Sequence, residues 1–267
     1  MYQTYCLMEE GRGYTKIKGR WTVMKQTLLD YTEGRNAPLP DGPWSMYQRW
    51  EDLMCMHIPV EPQALLPHVP EALELDIYDG YAWISIFSFN VRNMQLRGLP
   101  KFPYAHKFLE LNVRTYVRHQ NIPGIYFFSL DAAKIIPVIG ARSGSLPYFK
   151  AGMKAAKKNG WIHFSSHRQH DASAYFKGRY KSVSEPEKPL LGTLDYWLLE
   201  RYYLFNTVKG AVVHIGIHHL PWQPAQASVV YENGGIDSLM PGDIEGEPVR
   251  AHYVEALDVI FWPVKYS

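Results

Sequence analysis

Cysteine is almost missing from this chain of 267 residues: only Cys6 and Cys55 are present, far apart and without a CxxC pair. That spacing excludes a disulfide framework and a structural zinc site, and makes a reducing cytoplasm the expected compartment. No apolar run approaches the ~20 residues of a membrane helix, and the N-terminus lacks the apolar segment of a secretory signal, so neither a membrane span nor export is expected. Charge of one sign is also missing. With 28 basic and 26 acidic residues, a net charge of +2 and no block of like charge, the chain lacks the electrostatic footprint of a nucleic-acid binder. GxSxG, GxxxxGK[ST] and HExxH are absent too, which removes nucleophile-elbow hydrolases, phosphate-loop enzymes and zincins.

Turn signals and short strand-like runs fill most of the sequence. WEDLMCMHIPV reads as a strand ended by Pro59, and PEALELDIYDGYAWISIFSF as a hairpin turning at Asp79-Gly80. Pro62 opens a short helix. Lys158-Asn159-Gly160 is a turn, and SAYFKGRYKS alternates Phe176, Gly178 and Tyr180 with the cations Lys177, Arg179 and Lys181, one face buried and one solvated. Thr193 caps the helix LDYWLLERY; RYYLFNTV and AVVHIGIHHL follow as strands joined near Lys209-Gly210, and HYVEALDVIFWPV is the closing strand. Such a succession predicts a mostly β sandwich or barrel with few helices. Residues 1–23 show no periodicity and are expected to be an extension preceding a single domain at 24–267, with Met24 as the natural start.

The segment FLELNVRTYV from Phe108 carries the most chemistry. Period-two alternation puts Glu110, Asn112, Arg114, Tyr116 and Arg118 on one face and Leu111, Val113, Thr115 and Val117 on the other. A charged face on a central strand lines something polar or forms a buried ion network. Glu110, Arg114 and Arg142 are suited to holding a carboxylate. Lys150, between Phe149 and Ala151, is either an amine nucleophile or a rim lysine whose stem packs while its ammonium reaches water. The spacings His163/His167/His170 and His214/His218 fall in extended segments, where four residues span ~13 Å, so no metal is expected. Of His218 and His219, adjacent on a strand, one imidazole faces the interior and the other a loop.

The collinear series LPDGPWSMYQRWEDLM, LELDIYDGYAWISIFSF, RGLP, ELNVRTYV, GIYFFSLDAA, LPYFKAGM, LDYWLLERYYLF, IHHLPW and ALDVIFWPV, over residues 38–264, resembles the YqjF-like, or DUF2071, family of bacterial proteins. That family is distantly similar to the acetoacetate decarboxylases. The resemblance implies a barrel-like acetoacetate decarboxylase-like fold enclosing a polar site, with Glu110 facing that site. It also matches Gly140 and Arg142 to the segment before the reactive strand, with Ser143 in place of the expected glutamate. Pro147 matches the proline of the Pro-Lys-Lys motif, so Tyr148 stands where the Schiff-base lysine belongs and Phe149 where its partner cation belongs. Lys150 lies two residues further on.

The functional expectation is a protein that encloses a small organic acid or carbonyl compound. Arg114 or Arg142 would pair with the anion, Glu110 balance charge, and Tyr148 donate a hydrogen bond. Tyr116 and His218 complete the candidate binding residues, and Lys150 or Tyr148 is the candidate catalytic group. Neither a cofactor, a nucleic acid nor a membrane partner is expected, and a homo-oligomer is left open. The alternative is a non-catalytic structural protein with a satisfied polar interior.

Overall fold

The computed structural model describes residues 28–100, 106–134, 146–171, 173–232 and 236–267. Two units separate, Met1–Tyr31 and Thr32–Ser267, and the elements below all lie in the second. Its described strands are β1 Met46–Val60, β2 Glu74–Leu75, β3 Ala82–Leu96, β4 Phe108–His119, β5 Ile122–Ala132, β6 Tyr148–Lys158 and β7 Trp161–Arg168. They continue with β8 Tyr175–Ser182, β9 Tyr203–Val208, β10 Ala211–His219, β11 Ala225–Tyr231, β12 Arg250–Phe261 and β13 Lys265–Tyr266. Two short helices interrupt them, α1 Pro62–Leu65 and α2 Leu194–Leu199. No helix among the described residues is long and apolar enough to cross a membrane.

Seven strands close on themselves in the order β10-β9-β5-β4-β3-β1-β12, with β12 returning to β10. A second circuit leaves this ring at β5, passes through β6, β7, β8 and β11, and re-enters at β12. Strands β1, β3 and β4 therefore have apolar layers on both sides. Phe87, Phe89, Leu53 and Cys55 pack inside the ring. Ile84, Ile86, Met54, Met56, Leu111 and Val113 pack on the other side, against Phe164, Phe176 and Tyr180 of the outer strands.

An irregularity in β1 makes this double burial consistent. Asp52 has a φ of 53°, and the pairing with β3 shifts between Glu51 and Met54. The extra residue is a β-bulge, and it moves every later side chain to the opposite face. Met46, Gln48 and Trp50 point into the ring before it, whereas after it the inward residues are Leu53 and Cys55. Asn93, at φ 52°, marks the matching irregularity in β3.

The turns follow local chemistry. Gln120-Asn121 and Asn159-Gly160 have positive φ at both residues and join β4 to β5 and β6 to β7 through two-residue loops. Thr193 caps α2, its hydroxyl accepting from the Tyr196 N–H. Two expectations need correction. Asp79-Gly80 does turn with positive φ, but it closes only the Tyr78–Tyr81 bridge. Its flanks separate, β2 pairing with β4 and β3 with β1 and β4, because these long-range partners offer more ladder than the local hairpin. Pro59 does not end β1. It sits opposite Trp83 beyond the last β12 pair, His57–Arg250, where β1 has one free edge and a missing N–H costs no ladder bond.

Truncating a side chain in the wall between the two circuits tests this arrangement. Ile86→Ala, fully buried on the outer side of β3, is expected to cost about 2–5 kcal/mol in urea unfolding. Lys154→Ala on the exposed edge of β6 is expected to stay within about 0.5 kcal/mol of wild type.

Candidate functional site

The seven-stranded ring encloses a cavity of about 330 Å³. Strand β4 contributes Glu110, Asn112 and Arg114 at alternate positions, as its pattern predicts. Strand β1 contributes Met46, Gln48 and Trp50, and Tyr148 enters from the start of β6. Ile125, Phe127, Leu204, Ile215, Ile217 and Phe261 make the remaining wall mostly apolar. Arg201 from the segment after α2, His219 at the end of β10 and Trp222 just beyond it complete the lining.

Two guanidinium groups dominate the polar end. Arg114 is 4% exposed, its guanidinium carbon 3.4 Å from the Phe87 ring centroid. Among the described residues it forms no ion pair, and its Nε has no hydrogen-bond partner. Burial lowers its pKa, and Arg201 adds repulsion. Arg201 is anchored just past the end of α2, where Nε donates to the Trp197 carbonyl at 2.7 Å and Nη1 to Asp76 Oδ2 at 2.6 Å. Its Nη2 has no partner. The site thus holds one guanidinium balanced by Asp76 and one that no carboxylate among the described residues balances.

The other polar groups differ in protonation. Burial pushes the Glu110 carboxyl up to about 7, Asp131 adding to the rise and a hydrogen bond from Asn112 Nδ2 at 3.3 Å opposing it. Asn112 Oδ1 has no partner. Burial, then Glu110, raises the Tyr148 phenol well above its ordinary range, so it remains a donor. His219 is neutral, its pKa lowered to about 4 by burial. It receives the Trp222 indole N–H at Nε2 and bonds the Leu220 carbonyl through Nδ1.

Among the sequence candidates, Glu110, Arg114 and Tyr148 converge on the cavity. Tyr116 lies behind it, fully buried, its hydroxyl 2.6 Å from Ser85 Oγ. Lys150 does not line it. Strand β6 makes its last pair with β5 at Ala132–Lys150 and its first with β7 at Ala151–Arg168, so Lys150 is where the strand leaves the ring, and it is exposed. Of the adjacent histidines it is His219, not His218, that faces the cavity; His218 Nδ1 lies 2.7 Å from Arg35 Nη1. Arg142 lies outside the described residues. Sequence reasoning passed over Arg201, although an Glu-Arg pair inside the apolar run LDYWLLERYYLF is itself a sign of buried function.

Solved structures similar to this one include an enduracididine biosynthesis enzyme, MppR, complexed with pyruvate, with a TM-score of 0.57 and 11% identity over 88% of this chain and 94% of that one. An acetoacetate decarboxylase-like enzyme from Sphingomonas wittichii matches with a TM-score of 0.56 and 11% identity, over 87% and 98% of the two chains. The acetoacetate decarboxylase of Legionella pneumophila matches with a TM-score of 0.54 and 14% identity, over 96% and 98%. These likenesses establish the fold. In sequence, the chain is 43% identical to the uncharacterized protein YqjF of Bacillus subtilis over 245 residues, 89% of this chain and 99% of that one. The DUF2071 model, described as an uncharacterized conserved protein, matches residues 47–257, and the chain belongs to that family.

Proposed function

We propose that the protein binds a small organic acid inside the ring, its carboxylate held by Arg114 and Arg201 and its apolar part lying along Ile125, Leu204, Ile217 and Phe261. The observation that carries this reading is Arg114: a buried guanidinium at a cavity, without an ion pair among the described residues. Burying an unpaired charge is costly enough that an anion is the expected complement. The unpartnered Arg201 Nη2 and Asn112 Oδ1 at the same end supply further bonds for a polar head group.

Glu110, poised to about 7, and the Tyr148 hydroxyl beside it are the groups able to exchange or donate a proton near neutral pH. A Schiff base is not part of the reading, since no lysine among the described residues lines the cavity. The cavity volume suits a compact acid with a short apolar tail. Pyruvate, the ligand of one structural neighbour, and its longer homologues 2-oxobutanoate and 2-oxohexanoate are the acids to try first, with hexanoate as the chain lacking the oxo group.

Calorimetry and thermal shift with these acids test the proposal. At least one is expected to bind, and Arg114→Met is expected to weaken it by about tenfold or more. The unliganded Arg114→Met protein should be no less stable than wild type, because the substitution removes an uncompensated buried charge. A wild type that binds none of the acids, or a variant that binds as well as wild type, would sink the reading.

Glu110 generates a pH signature of its own. Its folded pKa, about 7, is raised above the ordinary 4.5, so its contribution to stability is complete below 4.5 and is lost as pH rises through 7. Relative to Glu110→Gln, the wild type should lose roughly 3 kcal/mol across that window in denaturant titrations. Carboxylate affinity should fall as pH rises through 7 in the wild type, because an ionised Glu110 repels the ligand, and stay flat there in Glu110→Gln.

A further inference from the structure

Behind Arg114 runs a chain of buried side chains that the ligand reading leaves unused. Tyr116 hydroxyl lies 2.6 Å from Ser85 Oγ, which lies 2.7 Å from His57 Nδ1; His57 Nε2 lies 3.0 Å from His252 Nδ1, and His252 Nε2 lies 3.1 Å from Asp195 Oδ1. Tyr116, Ser85 and His57 are fully buried and His252 is 3% exposed. At the inner end Tyr116 adjoins Arg114 on the same face of β4. At the outer end Asp195 also accepts from Arg250 at 2.6 Å, and both are partly exposed.

We propose that Ser85, His57 and His252 are positioning residues for the cavity: with Tyr116 they form a hydrogen-bond relay of fixed direction from Arg114 to the Asp195 carboxylate. The direction follows from what the ends can do. Arginine only donates and an ionised carboxylate only accepts. Each group between them has a single hydrogen to give, and every link is satisfied only if Tyr116 donates to Ser85, Ser85 to His57, His57 through Nε2 to His252, and His252 through Nε2 to Asp195. Both histidines are then neutral and protonated on Nε2.

Cutting the relay frees the Tyr116 hydroxyl to turn its hydrogen toward Arg114, donor against donor, and the guanidinium loses its hold. The charges facing the histidine pair are Arg250 from its own strand, Asp195 from α2 and Arg114 from β4; Arg201 and the Cys55 thiol face the inner end. Burial, then His252 and the two arginines, depresses the His57 pKa, consistent with a neutral ring.

The proposal rests on Arg114 as the ligand anchor, and two measurements separate the two ideas. Nitrogen-15 NMR of the histidine side chains in the unliganded full chain is expected to show His57 and His252 as Nε2–H tautomers at neutral pH. An Nδ1–H or doubly protonated His57 would overturn the relay whatever binds. The second measurement is the affinity for 2-oxohexanoate in the Glu110→Gln background, where the Glu110 titration is gone. There Ser85→Ala, which cuts the relay beside Tyr116, should weaken it about fivefold or more, and Ser85→Thr, which restores the hydroxyl, should recover it. Equal affinities with and without Ser85→Ala would overturn the relay. If wild type binds no 2-oxohexanoate, the anchor reading fails, and the tautomer measurement still decides the relay.

Discussion

Strand β4 is buried on both faces, and the rest of the site depends on that constraint. It belongs to the ring and to the second circuit at once, with β3 on one side and β5 on the other. Its outer face, Leu111 and Val113, is absorbed by the apolar layer shared with the outer strands. Its inner face carries Glu110, Asn112, Arg114 and Tyr116, all of them buried. Each must find a partner inside the protein or leave a cost to be met by a ligand. Tyr116 finds Ser85, and Glu110 moves toward its neutral form. Arg114 finds an aromatic face and a phenol but no anion.

The electrostatics of the cavity differ from those of a site built around a reactive lysine. Such a site uses neighbouring cations to depress an amine; here the neighbouring cations are both arginines, which hold their charge. What titrates near neutrality is a carboxyl group. In the proposed reading the cavity receives negative charge at one end, with Glu110 in its neutral form beside it. The fold is similar to that of acetoacetate decarboxylases.

Much of this was legible in the residues. Alternation along FLELNVRTYV told which side chains share a face, the Asn159-Gly160 and Lys209-Gly210 pairs told where strands turn, and Thr193 told where α2 begins. Other features were not legible because no local rule governs them. A single bulge at Asp52 decides whether Met54 or Cys55 points into the ring, and the run WEDLMCMHIPV is apolar on both sides of it. Lys150 shares a strand with Tyr148 but leaves the cavity where β6 exchanges partners. Arg201 reaches the site only because the segment after α2 folds against the ring, and His219 because β10 closes the ring with β12.

By itself the sequence determined the mostly β class, the turns, the two faces of β4 and the family, since these depend on side-chain period and on the backbone preferences of a few residues. Only the tertiary structure decided that the polar face of β4 lines a cavity, that Arg201 lines it with Arg114, and that His57 and His252 stand between Ser85 and Asp195. Those outcomes depend on ring closure between strands as distant as β1 and β12, and the energy of such closure lies in long-range pairing rather than in any local pattern.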